Sequence, residues 1–220
     1  MKWFKRNKAT DLPDFWMRYL NAFKEEEAIT ISDSSFVVFD TETTGFDYEL
    51  DRVISIGALI VKQNEIAISD TFEVYVDQSR FNSETVKIHG ILNHEHLKTV
   101  TELAAIEQFL NFIGNKVLVA HHANFDITMV NLALDRNGLP NLKNKVLDTV
   151  NLYRATRIKS NLIDRQKNYS LDEIAENFGI DVSDRHTAAG DAFITAIIFL
   201  KTISLLKKKT VFNLKELFKL

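Results

Sequence analysis

The stretch that most restricts this chain is FVVFDTETTG, residues 36–45. Its first four residues are apolar without alternation, the pattern of a short strand buried on both faces of a sheet. Such a strand belongs in the middle of an α/β fold, yet this one ends in two acids, Asp40 and Glu42. Residues two apart on a strand point to the same side, about 6 to 7 Å from one another. Both carboxylates therefore project together from the carboxyl end of a central strand, where open α/β sheets place their sites. An isolated D-x-E at a strand end is more often just a solvated terminus, so its meaning depends on what else the chain brings to it.

The surrounding pattern alternates strand and helix. Residues 12–28 carry Phe15, Tyr19 and Phe23 at helical spacing behind Pro13, which predicts an N-terminal helical extension over 1–33. Strands are expected at 36–40, 52–62, 67–77, 116–121 and 145–150, the second and third joined as a hairpin or meander through QNE. Helices are expected at 101–114, 125–138 and 170–179 and over a long apolar run at 187–206, with Ser170 and Glu173 forming a capping box and Gly179 a stop. A basic, amphipathic tail occupies 207–220. The pattern predicts a main domain over 34–206, built as a mixed five-stranded sheet with helices on both faces.

Composition narrows the function classes. The chain has 220 residues, enough for one full core and too few for two ordinary domains. It has no Cys, which excludes disulfides and thiolate metal sites and points to an intracellular, cytoplasmic protein. No uninterrupted run of about 18 apolar residues suggests a membrane span. The net charge of −3 argues against a broad basic surface, so a polyanionic substrate would have to be held locally, by metal ions or a short basic patch. Residues 154–167, with five basic residues against one acid, could guide a phosphodiester backbone or form a solvated face.

Two more acids change the weight of D-x-E. Asp126 follows a buried strand and the loop HHANF, at the start of a helix; Asp191 lies early in the apolar helix, five residues after His186. On a continuous helix that offset would be about 140°, so His186 and Asp191 share a site more easily if His186 sits on the preceding loop. Four carboxylates from separate strand and helix ends, with one His, make sense together as an oxygen-ligand site for two divalent ions, Mg²⁺ or Mn²⁺. Such a pair of ions could hold a phosphate between nucleophile and leaving oxygen, while a His titrating near neutrality takes a proton from water.

In this order and spacing, D-x-E-T-x-G, H-x-x-x-F-D and H-x-x-x-x-D resemble the DEDD superfamily of 3′-5′ exonucleases in its DEDDh branch, with a likeness to the proofreading (epsilon) subunits of bacterial DNA polymerase III. The resemblance spans residues 34 to 206 and includes KIHGI (87–91), LDTV (147–150) and YSLDEIAENFGI (169–180). It implies a ribonuclease H-like sheet, with Asp40, Glu42, Asp126 and Asp191 as ligands of two metal ions and His186 as general base. The branch rests on His186, since the sister branch has Tyr in a Y-x-x-x-D pattern and Thr187 stands at that position here. The resemblance further implies that the backbone around Thr41, Thr43 and Thr44 grips the terminal nucleotide, that His89 lies near its base, and that Phe125 packs on it or in the core. Gly45 is expected in a positive-φ turn. Where the family often has Asn, this chain has His122, whose role the motif leaves open.

The reaction implied is release of nucleoside 5′-monophosphates from single-stranded or frayed 3′ ends of DNA, in proofreading or repair, with a DNA polymerase as a possible partner and no membrane. An exoribonuclease of the same branch is the alternative. A silent module that binds nucleic acid or a polymerase is a third reading, and the presence of all five motif residues speaks against it.

Overall fold

The computed structural model describes residues 12–24, 30–78, 98–157, 167–209 and 213–220. Among these residues the centre is a sheet of six strands: β1 (Ser35–Thr43), β2 (Val53–Lys62), β3 (Glu65–Val76), β4 (Thr99–Val100), β5 (Val117–Ala120) and β6 (Val146–Asp148), in the order β4-β3-β2-β1-β5-β6. The sheet is mixed, with helices on both faces, as expected. It has one strand more than the five read from sequence, because β4 is only two residues long and carries no periodicity to detect.

β1 pairs antiparallel with β2 along its whole length but parallel with β5 only from Phe36 to Val38. The β2-β3 hairpin closes on Gln63 and Asn64, both at positive φ (54° and 62°), which suits a tight two-residue turn. Alternation along β1 separates two cores. Val37 and Phe39 face a cluster with α1 (Asp14–Ala22), α2 (Glu102–Ile113) and α3 (Asn124–Arg136), whereas Phe36 and Val38 face the long helix α6 (Ala188–Lys209) through Phe199 and Ile203. Continuing that alternation puts Asp40 and Glu42 on the α6 side.

α6 is the one helix among the described residues long and apolar enough to cross a membrane, over Ala188–Lys208, but most of it is buried inside the protein. Ala196, Phe199 and Ile203 pack on the sheet, while Ile194 and Ile198 pack against α4 (Thr149–Thr156) and α5 (Leu171–Phe178). A helix covered on both sides is apolar nearly all round, which is how a core helix comes to carry a span-like composition.

The first and last described helices are stitched into the same cores. Phe15, Trp16 and Tyr19 of α1 are buried, and the Tyr19 hydroxyl donates to Asn144 (2.6 Å) while accepting from the Lys143 amide (2.8 Å). Leu214 and Leu217 of α7 (Leu214–Leu217) join the cluster under α6. The strand expected at 145–150 ends at Asp148, whose side chain accepts from the Val150 amide and starts α4 at Thr149. The capping box of Ser170 and Glu173 is present, and Gly179 closes α5 at φ 61°.

Candidate active site

Two glycines let the elements approach closely enough to build a site. Gly57 on β2 lies directly opposite Asp40, and a Cβ there would meet backbone atoms of Ala188 and Ala189 at 2.2 Å. Only a bare backbone admits the first turn of α6 at that point, and this approach carries Asp191 to Asp40. Gly45 works the same way in the turn after β1, where a Cβ would meet the Asp51 carboxylate at 2.3 Å. Gly45 does not have the positive φ expected of it; its small size is needed to admit Asp51, which accepts from the Thr44 hydroxyl (2.8 Å) and the Asp47 amide (2.9 Å).

The result brings together carboxyl groups from two elements. Asp40, Glu42 and Asp191 each offer an oxygen, and these atoms lie within 4.8 Å of one another. Asp126 is buried close by on the first turn of α3, outside that group of three. Beyond Val38 the parallel partner of β1 stops, and Asp126 takes its place: one of its oxygens, Oδ1, accepts from both the Thr41 amide (3.0 Å) and the Thr41 hydroxyl (2.6 Å). A short β5 thus leaves a strand amide to be satisfied by an acid at a helix start.

The electrostatics are those of crowded acids. Burial, then the Asp126, Asp191 and Glu42 charges, push Asp40 well above the usual carboxylate range, against the pull of Arg185. Burial, with Asp191 next, raises Glu42 from 4.5 to about 7. Burial also raises Asp126 to about 7, opposed by its Thr41 bonds. Asp40, Glu42 and Asp126, each costly to ionise unaided, fit the neighbourhood of a hard divalent cation, whose charge would offset their repulsion. Asp40, Glu42 and Asp191 would hold such an ion directly, with Asp126 beside them.

His186 is exposed, on the turn before α6 and not within it, at φ 68°. Its backbone amide donates to Asp191 Oδ1 (3.3 Å). His122 is also left-handed, at φ 55°, in the turn before α3. Its neighbour His121 is held neutral: burial lowers it to about 3, with Nε2 3.1 Å from the Tyr169 carbonyl oxygen and Nδ1 2.9 Å from the Thr149 hydroxyl. Left-handed backbone at non-glycine residues is uncommon and gathers at functional sites.

The hydroxyls of Thr41, Thr43 and Thr44 all donate within the protein, to Asp126, to the Gly45 carbonyl (2.7 Å) and to Asp51. Phe125 is half-buried and forms ring contacts with Phe46 (centroids 5.7 Å apart) and Tyr48 (5.9 Å). Phe46 is 75% exposed and Tyr48 41%, so the three rings form an open aromatic face where β1 and α3 meet. Sequence reasoning overlooked Phe46 and Tyr48, although two aromatics directly after the acidic motif were a visible signal. It also overlooked Arg185, which forms an ion pair with Asp191 and donates to Asp172 from Nε (2.6 Å) and Nη2 (3.3 Å). His89 lies outside the described residues.

Comparison with known proteins places this geometry. A family model of the RNase T type, described as Exonuclease, matches residues 37–199, and the chain belongs to this exonuclease family. Members of the family normally use divalent metal ions. Among curated relatives, the PolC-type DNA polymerase III of Caldanaerobacter subterraneus subsp. tengcongensis is 36% identical over 187 residues, or 84% of this chain and 13% of that protein. The PolC-type DNA polymerase III of Thermotoga maritima is 30% identical over 87% of this chain and 13% of its own length. The chain thus spans about an eighth of these relatives. Among solved structures, E. coli exonuclease I in complex with a dT13 oligonucleotide superposes with a TM-score of 0.67 at 19% identity, covering 80% of this chain and 42% of that one. Exonuclease X in complex with 5′-overhanging duplex DNA gives 0.62 at 19% identity, over 84% and 98%. These two likenesses establish the fold.

Proposed function

We propose that this chain is a metal-dependent 3′-5′ exonuclease that trims single-stranded or frayed DNA ends to nucleoside 5′-monophosphates, proofreading or repairing beside a DNA polymerase in the cytoplasm. The observation that carries the reading is the meeting of Asp40, Glu42 and Asp191 within 4.8 Å, next to an open aromatic face. The relatives that are PolC-type polymerases, and fold neighbours in complex with DNA, favour DNA over RNA.

In this reading Asp40, Glu42, Asp126 and Asp191 hold two divalent ions, Mg²⁺ or Mn²⁺, which when bound stabilise negative charge on the phosphoryl group and leaving oxygen. Thr41 orients Asp126 by fixing one of its oxygens. His186, exposed and backbone-tethered to Asp191, accepts the proton of the attacking water at its imidazole nitrogen. Phe46, Tyr48 and Phe125 stack on the terminal bases, a sequence-tolerant grip, while backbone around Thr41–Thr44 lines the nucleotide and His89 approaches its base.

The test is a time course on 5′-labelled single-stranded DNA and RNA of one sequence, with Mn²⁺ or with EDTA. A ladder shortening from the 3′ end of DNA and absent in EDTA is expected. A ladder confined to RNA would reassign the substrate, and no ladder on either would overturn the enzyme reading.

A further inference from the structure

The acid cluster is crowded by design of the fold, and among the described residues one cation pairs with it. The Arg185 guanidinium is mostly buried, its side chain 18% exposed, and it is shared: Nη1 pairs with Asp191 Oδ2, while Nε and Nη2 grip both oxygens of Asp172 at the start of α5. Asp191 is nearly buried (9%) and Asp172 mostly in solvent (61%). The contact with Asp191 is thus made where charge is costly to leave alone, and the contact with Asp172 where water can share the load. The two-point hold on Asp172 fixes the plane of the guanidinium, so the Asp191 carboxylate can turn away from Nη1 while Arg185 stays anchored.

We propose that Arg185 is a tethered counter-cation of the metal site: it neutralises Asp191 in the metal-free protein, competes there with incoming divalent ions, and yields Asp191 to them while remaining anchored on Asp172. The inference rests on the metal-site reading above and adds to it a residue that sets metal affinity. It also links metal entry to the general base, because Arg185 immediately precedes His186, whose amide holds the other oxygen of Asp191. Arg185 is a positioning residue in this scheme and acts through Asp191.

The sign of one measurement separates this role from an ordinary structural clamp. A clamp that merely orients Asp191 predicts weaker metal binding when it is removed; a competing cation predicts tighter binding. Mn²⁺ alone is titrated calorimetrically into metal-stripped wild type, Arg185→Gln and Arg185→Lys, and thermal unfolding is followed in EDTA. The expected result is about tenfold tighter Mn²⁺ binding for Arg185→Gln, the factor that about 1.4 kcal/mol represents, with a lower Tm in EDTA and a larger rise in Tm on adding Mn²⁺. Arg185→Lys, which keeps the charge and loses the fork, should tighten binding less. Unchanged or weaker binding by Arg185→Gln, or tightening by Arg185→Lys equal to that of Arg185→Gln, would overturn the counter-cation role while leaving the metal site standing. Wild type that binds no Mn²⁺ would overturn both.

Discussion

The ionisation of individual carboxyls decides how the metal-free protein responds to pH. Glu42 and Asp126 have folded pKa values of about 7, raised from 4.5 and 3.8 chiefly by burial. An acid whose pKa rises on folding binds its proton more tightly in the native state. The stabilisation it contributes is complete below the unfolded value and is lost as pH climbs through the folded one. In EDTA, therefore, the Tm should fall between about pH 4.5 and pH 7, and Glu42→Gln should flatten that fall; a Tm that rises across this window would contradict the burial of the cluster. Asp40→Ala removes one of the three clustered oxygens and should abolish metal-dependent cleavage with the circular dichroism spectrum preserved. His186→Ala should slow turnover by roughly 10² to 10⁴ while Mn²⁺ binding persists; an unchanged pH-rate profile would place the base elsewhere. Asp40, Glu42, Asp126, Asp191 and His186 were legible as candidates because each sits in a spaced motif, and the fold brings Asp40, Glu42 and Asp191 together. Arg185, Phe46 and Tyr48 were not, since their importance comes from what folding places opposite them: an Asp on α6, an Asp on α5, and Phe125 across the turn.

At the level of elements, the site exists because β1 outruns β5 and because α6 starts directly over β2. Gly57 controls the second condition. Gly57→Ala would drive a methyl group into the backbone of Ala188 and Ala189, which no side-chain rotation relieves. We expect a loss of about 1 to 3 kcal/mol of stability from overpacking, together with a drop in Mn²⁺ affinity as Asp191 moves away from Asp40. Chemical denaturation and calorimetry would check the pair, and a variant with native stability and affinity would show that the close approach is unimportant. Long elements were readable in sequence through their period and their caps, as α5 was through Ser170, Glu173 and Gly179. β4 and α4 escaped for opposite reasons. β4 is two residues held by pairing with Tyr75 and Val76, which is long-range information; α4 begins inside what reads as a β run, because the Asp148 side chain caps it.

For the whole molecule, helices α1 and α7 pack as parts of the core. The segment expected as an extension buries Phe15, Trp16 and Tyr19 against α2 and α3, and α7 fills the space under α6. Trp16 is 1% exposed, and Trp16→Ala should cost about 3 to 5 kcal/mol, read as a shifted denaturation midpoint; a loss under about 1 kcal/mol would mean that the helix is only loosely attached. The global architecture was legible from strand and helix order, since a buried central strand followed by strand-helix alternation leaves few ways to cover both faces of one sheet. The docking of α1 was not, because an amphipathic helix announces an apolar face without naming its partner. The central claim is that the acids gathered at the end of β1 bind metal and cut nucleic acid from its 3′ end. The most direct measurement is the release of 5′-monophosphates from a single-stranded DNA oligonucleotide by wild type and Asp40→Ala, each with Mn²⁺ and with EDTA. The account predicts stepwise 3′ shortening by wild type with Mn²⁺ alone; shortening that survives in Asp40→Ala or in EDTA would contradict it.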